Sequence, residues 1–273
     1  MLAIPSVTTD SGRTSAIGDA TTTLTCGDNY VYVHAYADHR AFVVDPADAG
    51  MVGCTVAEQK LAVTTVLLTH HHGDHTAELA ELQSMTGCRV VGSDKRRIAG
   101  IDRLVRDGDV VTLNGRTLQI IGTPGHTTTS VCYYLPPLAK GEPGVVFTGD
   151  TLFVGGCGRP MECDARVLWE SLVRLAALPD ETLVYCGHDY TAENCEFALS
   201  IEPDNHAVRQ QLHEATRDAA QGRPTVPSTI ARERATNIFL RAGESTVKAA
   251  LGMIEASPER VFAELRRRKD LFG

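Results

Sequence analysis

Apolar segments that end abruptly in polar residues are the dominant pattern of this chain. Val66–Leu68 is followed at once by four histidines and an aspartate within residues 69–75, THHHGDH. A short apolar segment bounded by turn residues is typical of a buried strand that leads into a loop. Three further segments end in the same way, at residues 123–127 (TPGHT), 145–151 (VVFTGDT) and 182–190 (TLVYCGHDY). We therefore expect the polar residues of the four loops to meet at one edge of the predicted sheets.

The remaining periodicity in the first two thirds of the chain predicts alternating strands and helices. Residues 22–45 (TTLTC, YVYVHAYA and AFVVD) predict an antiparallel meander. Helical spacing covers residues 54–62 and 76–86, and further strands are predicted at 88–92 and in a hairpin over 110–121. Strands followed by helices, twice over, indicate two sheets packed face to face with helices outside. The predicted fold class is therefore α/β, with four layers in the order αββα.

The last part of the chain is predicted to be helical. The pattern indicates one helix over residues 204–222, with Asp204 as its N-cap, and a final helix over residues 257–268 that opens with Ser-Pro. Arg266 and Lys269 are three residues apart and would share one face of that helix. Because cations are also stabilised at a helix C-terminus, a solvated basic cluster is the alternative interpretation of these two residues.

Composition and charge restrict the classes of function. With 43% hydrophobic residues the chain can form a substantial core, and its net charge of −8 disfavours nucleic acid or an anionic membrane as a partner. Residues 203–273 nevertheless carry 12 Lys/Arg against 9 Asp/Glu, a basic tail that could recruit an anionic substrate. The eight cysteines form no C-x-x-C pair, which favours reduced thiols. Without a membrane-length apolar segment or a secretory pattern, we expect a cytoplasmic monomer whose residues 1–20 form a loosely held arm.

Metal chemistry is the strongest signal in the sequence. His70, His72, Asp74 and His75 offer imidazole nitrogens and a carboxylate, the usual ligands of zinc and similar ions. Four donors this close exceed what one tetrahedral ion accepts comfortably, so two neighbouring ions are expected. A surface histidine cluster is the alternative, but it would not follow an apolar strand. His71 is expected to point away from the ligands, since the segment alternates.

The missing ligands are expected from the other strand ends. His126, Asp150 and His188 each follow an apolar strand, at or next to a glycine. Any one of them alone is better explained as a structural histidine or a turn aspartate, whereas together they favour a shared metal site. Asp45 ends another strand before a proline. It could orient a ligand histidine, or it could simply form an Asp-Pro turn.

The signature H-x-H-x-D-H at residues 70–75 resembles that of the metallo-β-lactamase superfamily. The resemblance implies two divalent ions, zinc in the first instance and iron or manganese as alternatives. The implied ligands are His70, His72 and His126 for one ion and Asp74, His75 and His188 for the other, with Asp150 as the bridge.

Within that superfamily the chain is similar to the glyoxalase II family, the hydroxyacylglutathione hydrolases. The motifs that carry this resemblance are THHHGDH, TPGHT, FTGDTLF, GCGR, GHDYT, PTVPST and RRRKDLF. It implies a catalytic domain over residues 1–190 and a helical glutathione-binding domain over residues 191–273. The implied substrate contacts are Arg159, Tyr190, Arg266 and Lys269. Met161 departs from the pattern, since many members have an aromatic residue there, and Cys157 is interpreted either as structural or as a neighbour that supports a ligand.

The expected reaction is hydrolysis of S-D-lactoylglutathione to D-lactate and glutathione. Two ions can lower the pKa of a shared water to roughly 7 and stabilise the oxyanion formed when the resulting hydroxide attacks the thioester. Asp150 would set the spacing of the ions and Asp74 would orient the hydroxide, which makes both aspartates catalytic residues.

Three other functions fit parts of the pattern. A persulfide dioxygenase of the same superfamily would use one iron and oxygen. A phosphodiesterase or nuclease could use the same two ions, although the acidic composition and the tail count against it. A binding module without catalysis is disfavoured because every ligand position is filled.

Overall fold

The computed structural model describes residues 8–9 and 19–272. Fifteen strands lie in this part of the chain: β1 (Thr8–Thr9), β2 (Ala20–Cys26), β3 (Asn29–Tyr36), β4 (Arg40–Val44), β5 (Ala62–Leu67), β6 (Arg89–Gly92), β7 (Arg103–Leu104), β8 (Val110–Leu113), β9 (Arg116–Gly122), β10 (Val131–Leu135), β11 (Val145–Gly149), β12 (Leu152–Phe153), β13 (Gly156–Cys157), β14 (Leu183–Cys186) and β15 (Ser228–Thr229). An arm is expected over residues 1–20. Apart from β1, Asp19 and Ala20, that segment lies outside the described residues.

Nine helices are described over the same residues. They are α1 (Ala49–Glu58), α2 (Gly73–Thr76), α3 (Leu79–Thr86), α4 (Ala165–Ala176), α5 (Thr191–Ile201), α6 (His206–Ala220), α7 (Ile230–Thr236), α8 (Ser245–Ala250) and α9 (Pro258–Lys269). None of them combines the length and the apolar character that crossing a bilayer requires.

Two mixed sheets form the centre of the fold. The first has the strand order β1-β2-β3-β4-β5-β6-β7, and the second has the order β15-β14-β11-β10-β9-β8. The predicted meander is confirmed, because β2, β3 and β4 pair antiparallel in sequence. A parallel pairing of β4 with β5 follows, which requires a crossover, and α1 supplies it.

Three clusters of buried side chains show that the layers stack as αββα. Tyr32 and Phe42 of the first sheet pack with Phe147 and Tyr185 of the second. On the outer side of the first sheet lie α1 and α3, whose buried residues share a cluster with β3, β5 and β6. On the outer side of the second sheet lie α4 and the C-terminal helices. The four-layer prediction is therefore confirmed, and each sheet is covered on both faces.

Several helix boundaries differ from the prediction for local reasons. The helix predicted over 54–62 covers Ala49–Glu58, because Asp48 caps it by accepting a hydrogen bond from the Met51 amide at 2.7 Å. The helix predicted over 76–86 is two helices, α2 and α3, of which the second ends at the left-handed Gly87. Asp204 is not the N-cap of α6.

Asn205 is the N-cap of α6, since its side chain accepts a hydrogen bond from the Val208 amide at 3.2 Å. The final helix agrees with its prediction and extends one residue further, over Pro258–Lys269, with proline in its first turn.

The C-terminal helices share one apolar core with the second sheet. Phe239 and Phe262 contact each other, and both belong to a cluster that includes Val146 and Val184 of β11 and β14. Trp169 of α4 packs against Phe262 as well, with ring centroids 5.5 Å apart. Sheet and tail therefore bury apolar surface against each other.

A buried polar network also joins the tail to the loop after Asp150. The fully buried Glu233 of α7 accepts hydrogen bonds from the Gly155 amide at 2.8 Å and from the Ser228 hydroxyl. Asn237 donates from Nδ2 to Glu233 and to the Gly156 carbonyl at 2.8 Å. Because buried polar groups are costly to leave unpaired, this network fixes the course of the loop.

If sheet and tail form one core, Phe262→Ala will destabilise the whole chain. Removal of a buried phenyl ring is expected to cost about 3–5 kcal/mol of unfolding free energy. Chemical denaturation followed by far-UV circular dichroism and by Trp169 fluorescence should show one coincident, shifted transition. Arg260→Ala, an exposed position on the same helix, is the matched control. An early transition seen by only one of the two probes would contradict a shared core.

Candidate metal centre

The residues predicted as ligands meet at one end of the two sheets. His70, His72, Asp74 and His75 follow β5 and lie in the loop and in α2. The other three lie beyond β9, β11 and β14, and they are His126, Asp150 and His188. Parallel pairing of β11 with β14 places Asp150 and His188 at the same edge, where the Gly187 amide donates to the Gly149 carbonyl at 2.9 Å. The strand ends therefore converge, as the sequence predicts.

Two groups of donor atoms form within this cluster. In the first, Nδ1 of His72 lies 3.1 Å from Nε2 of His70 and 2.9 Å from Nε2 of His126. In the second, Nε2 of His75 lies 3.2 Å from Nε2 of His188, and Oδ2 of Asp74 lies 3.4 and 3.3 Å from these two nitrogens. Each group offers three ligand atoms close enough together to hold one ion.

Asp150 lies between the two groups. Its Oδ2 is 3.4 Å from Nε2 of His126 in the first group and 3.4 Å from Nε2 of His188 in the second. Its Oδ1 is buried without a hydrogen-bond donor among the described residues. A buried carboxylate oxygen without a donor, facing several imidazole nitrogens, fits a cation in the space between them.

The spacing of the nitrogens also fits metal coordination. Two ligand nitrogens on one tetrahedral zinc ion are about 3.3 Å apart. The observed separations of 2.9 to 3.2 Å between ring nitrogens are close to that value. When three ring nitrogens face one another, protons cannot be placed so that every nitrogen either donates or accepts a hydrogen bond without a clash. The donor set therefore fits divalent metal ions.

Hydrogen bonds on the far side of each ring orient the histidines. His75 donates from Nδ1 to Oδ2 of Asp45 at 3.0 Å, and His126 donates from Nδ1 to the Arg159 carbonyl at 2.8 Å. His70 donates from Nδ1 to the Thr69 hydroxyl at 3.0 Å, and that hydroxyl in turn donates to Asp45 at 2.6 Å. These bonds leave Nε2 of each ring free to face the site.

Asp45 was considered either as a turn residue or as a residue that orients a ligand histidine, and its hydrogen bonds fit the second role. The residue is buried and accepts hydrogen bonds from both the amide and the hydroxyl of Thr69 as well as from His75. It adopts a left-handed backbone conformation with φ of 50°, which is uncommon for a residue other than glycine. Its position is therefore determined by the contacts around it.

The charges in the centre favour a bound cation. Burial opposes ionisation of Asp150, but the neighbouring His75 holds its pKa well below the usual range. Hydrogen bonds from His188 and His75 lower the pKa of Asp74 in the same way. Burial opposes protonation of His188, yet Asp150 and Asp74 raise its pKa to about 9. Both carboxylates are thus ionised at neutral pH and favour the protonated form of the neighbouring histidine. A divalent ion would take the place of such protons.

Glycines allow the close approach of these chain segments. A Cβ atom on Gly187 would collide with Oδ1 of Asp150 and lie 2.9 Å from Cε1 of His75. A Cβ atom on Gly158 would collide with the Asp150 carbonyl oxygen. The two loops could not reach these positions with larger residues.

His71 takes no part in the two groups, as expected. Its Nε2 lies 3.1 Å from Nη1 of Arg97, and Arg97 also pairs with Glu162. Glu162 in turn accepts hydrogen bonds from the amide and the hydroxyl of Thr128. This polar cluster connects the loop after β5 to the loop that carries His126.

One contact to the centre could not be found from the sequence. Asn29, the first residue of β3, donates from Nδ2 to Oδ2 of Asp74 at 3.1 Å and to its carbonyl at 3.3 Å. Asn29 also forms a bridge with His188. No motif marks this residue, because its role depends on how β3 approaches β14.

A cavity of about 440 Å³ opens beside the centre. Its lining combines residues of the metal cluster with predicted substrate contacts, and it includes His126, Asp150, Arg159, Tyr190, Arg266 and Lys269. Volumes of this size are typical of sites for small molecules. The cluster and the tail thus face the same space.

The predicted substrate contacts differ in how available they are. Tyr190 stacks its ring on His188, with centroids 5.0 Å apart, and Arg159 lines the cavity with an exposed side chain. Arg266 is buried, donates to the Cys157 carbonyl at 3.0 Å and pairs with Asp270. Lys269 is buried as well and pairs with Glu193. The sequence did not indicate that the two cations of the last helix already have partners.

Cys157 and Met161 lie in different environments. The Cys157 thiol is buried against Arg266, burial raises its pKa to about 11, and it belongs to none of the groups of described residues that could hold a metal. Met161 lines the cavity with an exposed side chain.

Comparison with known proteins defines the class to which this centre belongs. A model of the metallo-beta-lactamase superfamily matches residues 24–188, and a model of the hydroxyacylglutathione hydrolase C-terminus matches residues 189–272. A hydroxyacylglutathione hydrolase from Maricaulis maris is 44% identical over 90% of this chain and 95% of its own length. One from Cereibacter sphaeroides is 43% identical with the same coverage.

Among solved structures, ETHE1 from Myxococcus xanthus superposes with a TM-score of 0.62 at 29% identity, over 93% of this chain and 99% of that one. The chain belongs to the metallo-β-lactamase superfamily and, within it, to the hydroxyacylglutathione hydrolase family.

Asp45→Asn tests whether the contacts behind the rings hold the centre. The amide can no longer accept from both His75 and Thr69 as a carboxylate does, so metal affinity is expected to fall about 10- to 100-fold. Competition against a chromogenic chelator measures this affinity. Asp48→Asn, which retains the N-cap of α1, is the matched control. Equal affinities in the two variants would exclude the orienting role of Asp45.

Proposed function

We propose that this protein is a metal-dependent thioester hydrolase that cleaves S-D-lactoylglutathione to D-lactate and glutathione. The observation that carries the proposal is a cavity lined both by His126 and Asp150 of the His/Asp cluster and by Arg266 and Lys269 of the C-terminal helix. The family models and relatives support the same activity, since the relatives bear the name hydroxyacylglutathione hydrolase.

Two divalent ions, zinc in the first instance, are proposed for the centre. His70, His72 and His126 would hold one, Asp74, His75 and His188 the other, and Asp150 would bridge them. When bound, such ions lower the pKa of a water to about 7 and stabilise the oxyanion of a carbonyl under attack. The position of Asp150 between the two groups supports its bridging role.

The two aspartates have different environments and therefore different proposed tasks. Asp150 is buried, and its contacts with both groups would fix the spacing of the ions. The Asp74 side chain is about half exposed, is ionised at neutral pH and is held by Asn29. Its carboxylate is thus able to accept a hydrogen bond from the attacking water and to orient it.

We propose residues 1–190 as the catalytic domain and residues 191–273 as the glutathione-binding domain. Arg159, Tyr190, Arg266 and Lys269 would contact the thiol carrier, with Lys269 facing one of its carboxylates. Because Arg266 donates to the Cys157 carbonyl, we assign it also to holding the loop that forms the wall of the cavity. We propose further that the protein is a cytoplasmic monomer. Its partner would be this small-molecule substrate, and neither nucleic acid nor a membrane.

Thioester hydrolysis with matched metal analysis tests the function. The purified protein should hydrolyse S-D-lactoylglutathione, lose the activity on chelation and regain it in proportion to metal restored, up to two ions per chain. Hydrolysis is followed at the thioester absorbance, and metal by atomic emission. A fully loaded protein that does not cleave the thioester would refute the proposal. One iron per chain with oxygen consumption on glutathione persulfide would instead indicate the dioxygenase.

Substitution of two adjacent histidines tests the ligand assignment. His72→Ala removes a proposed ligand and should lower kcat/KM by more than 100-fold, about 3 kcal/mol or more, together with the metal content. His71→Ala removes a ring directed at Arg97, so metal content should be retained and activity should stay within about threefold. A larger loss of metal in the second variant than in the first would reverse the assignment.

A further inference from the structure

The cavity beside the metal cluster contains carboxylates as well as cations. Arg159, Arg266 and Lys269 line it, and so do Glu193 and Asp270. Lys269 of α9 pairs with Glu193 of α5, while Arg159 and Arg266 both pair with Asp270. Each cation that a substrate carboxylate would contact is therefore already paired within the protein.

The two carboxylates are held to very different degrees. Oδ1 of Asp270 accepts from Nε of Arg159 at 3.1 Å and from Nε and Nη2 of Arg266 at 3.2 and 2.9 Å. Glu193, whose side chain is 54% exposed, has Nζ of Lys269 as its only side-chain partner in the described part of the chain. Glu193 is thus the carboxylate that loses the fewer contacts if its side chain moves out of the cavity.

Lys269, in contrast, cannot follow Glu193 into solvent. It is buried, and Nζ lies 5.9 Å from the ring centroid of Phe197 and 5.6 Å from that of Phe272. These rings stabilise the ammonium through their π-faces, but a buried cation still needs a negative partner. A substrate carboxylate that reaches Nζ of Lys269 must therefore replace Glu193 there.

The balance of charge identifies the kind of molecule that suits the exchange. Apart from Asp150, which is proposed to bind the ions, three cations and two carboxylates line the cavity and leave one excess positive charge. A thiol carrier with two carboxylates and one ammonium, such as glutathione, has one excess negative charge at neutral pH. Its carboxylate can replace Glu193 on Lys269 without leaving a buried charge unpaired.

We propose that Glu193 tunes selectivity among thiol carriers: it occupies Lys269 in the free protein, must be displaced by a carboxylate of the incoming carrier, and so lowers the preference for carboxylate-bearing carriers. This inference rests on the proposed function. A carrier without a carboxylate leaves the Glu193–Lys269 pair in place and gains nothing from Lys269. One with a carboxylate must compete with Glu193, so this residue weakens binding of the proper substrate while it keeps Lys269 paired in its absence.

Glu193→Gln separates the competition from the chemistry. With the competitor removed, KM for S-D-lactoylglutathione is expected to fall about two- to fivefold, the range for a half-exposed ion pair, while kcat stays within twofold. KM for S-D-lactoyl-N-acetylcysteamine, which has no carboxylate, is expected to change less than 1.5-fold. Glu196→Gln makes the same change of charge at an exposed position of the same helix and is the matched control.

The outcomes distinguish this inference from the proposed function. If the unaltered protein does not hydrolyse S-D-lactoylglutathione, the function fails and the inference with it. If it does, and Glu193→Gln raises KM or matches Glu196→Gln, Glu193 is no competitor and the inference alone is overturned. An equal fall of KM for both thioesters would likewise overturn it, because the effect would not depend on the carboxylate.

Discussion

An ionised carboxylate in a buried position is the constraint around which this protein is arranged. Asp150 has little access to water, yet the charges beside it keep it ionised. A buried charge is tolerated only when compensating groups surround it. The ends of four strands and the imidazoles of three loops meet that condition, two glycines let them approach closely, and the same arrangement is what divalent ions require.

Much of the fold followed from the pattern of strands. Segments such as residues 145–151 are apolar until a glycine and then polar, so both the strand and the place where it ends can be read directly. The four layers followed because each sheet needs a cover on both faces. Helix boundaries were less predictable. The start of α1 depends on the side chain of Asp48, and α2 is separated from α3 by two residues that the helical spacing does not reveal.

The meeting of the proposed ligands was predictable because metal chemistry restricts residue type, and each of them follows a strand. Asn29 and Glu193 were not, since asparagine and glutamate are common on any surface and their roles arise only from the approach of distant segments. The same reason explains Arg266. Its charge and spacing suggested a substrate contact, whereas its burial and its bond to the Cys157 carbonyl, which give it a structural task, depend on where α9 lies.

The network of Glu233 and Asn237 has a consequence for how such enzymes diversify. These two side chains of the tail bond the backbone at Gly155 and Gly156, a few residues from the aspartate between the two halves of the centre. Tail and catalytic layers are therefore not interchangeable modules. A new tail can bring a new substrate only if it also reproduces an acceptor and a donor at these positions, so the inheritance of specificity and of the metal geometry is coupled.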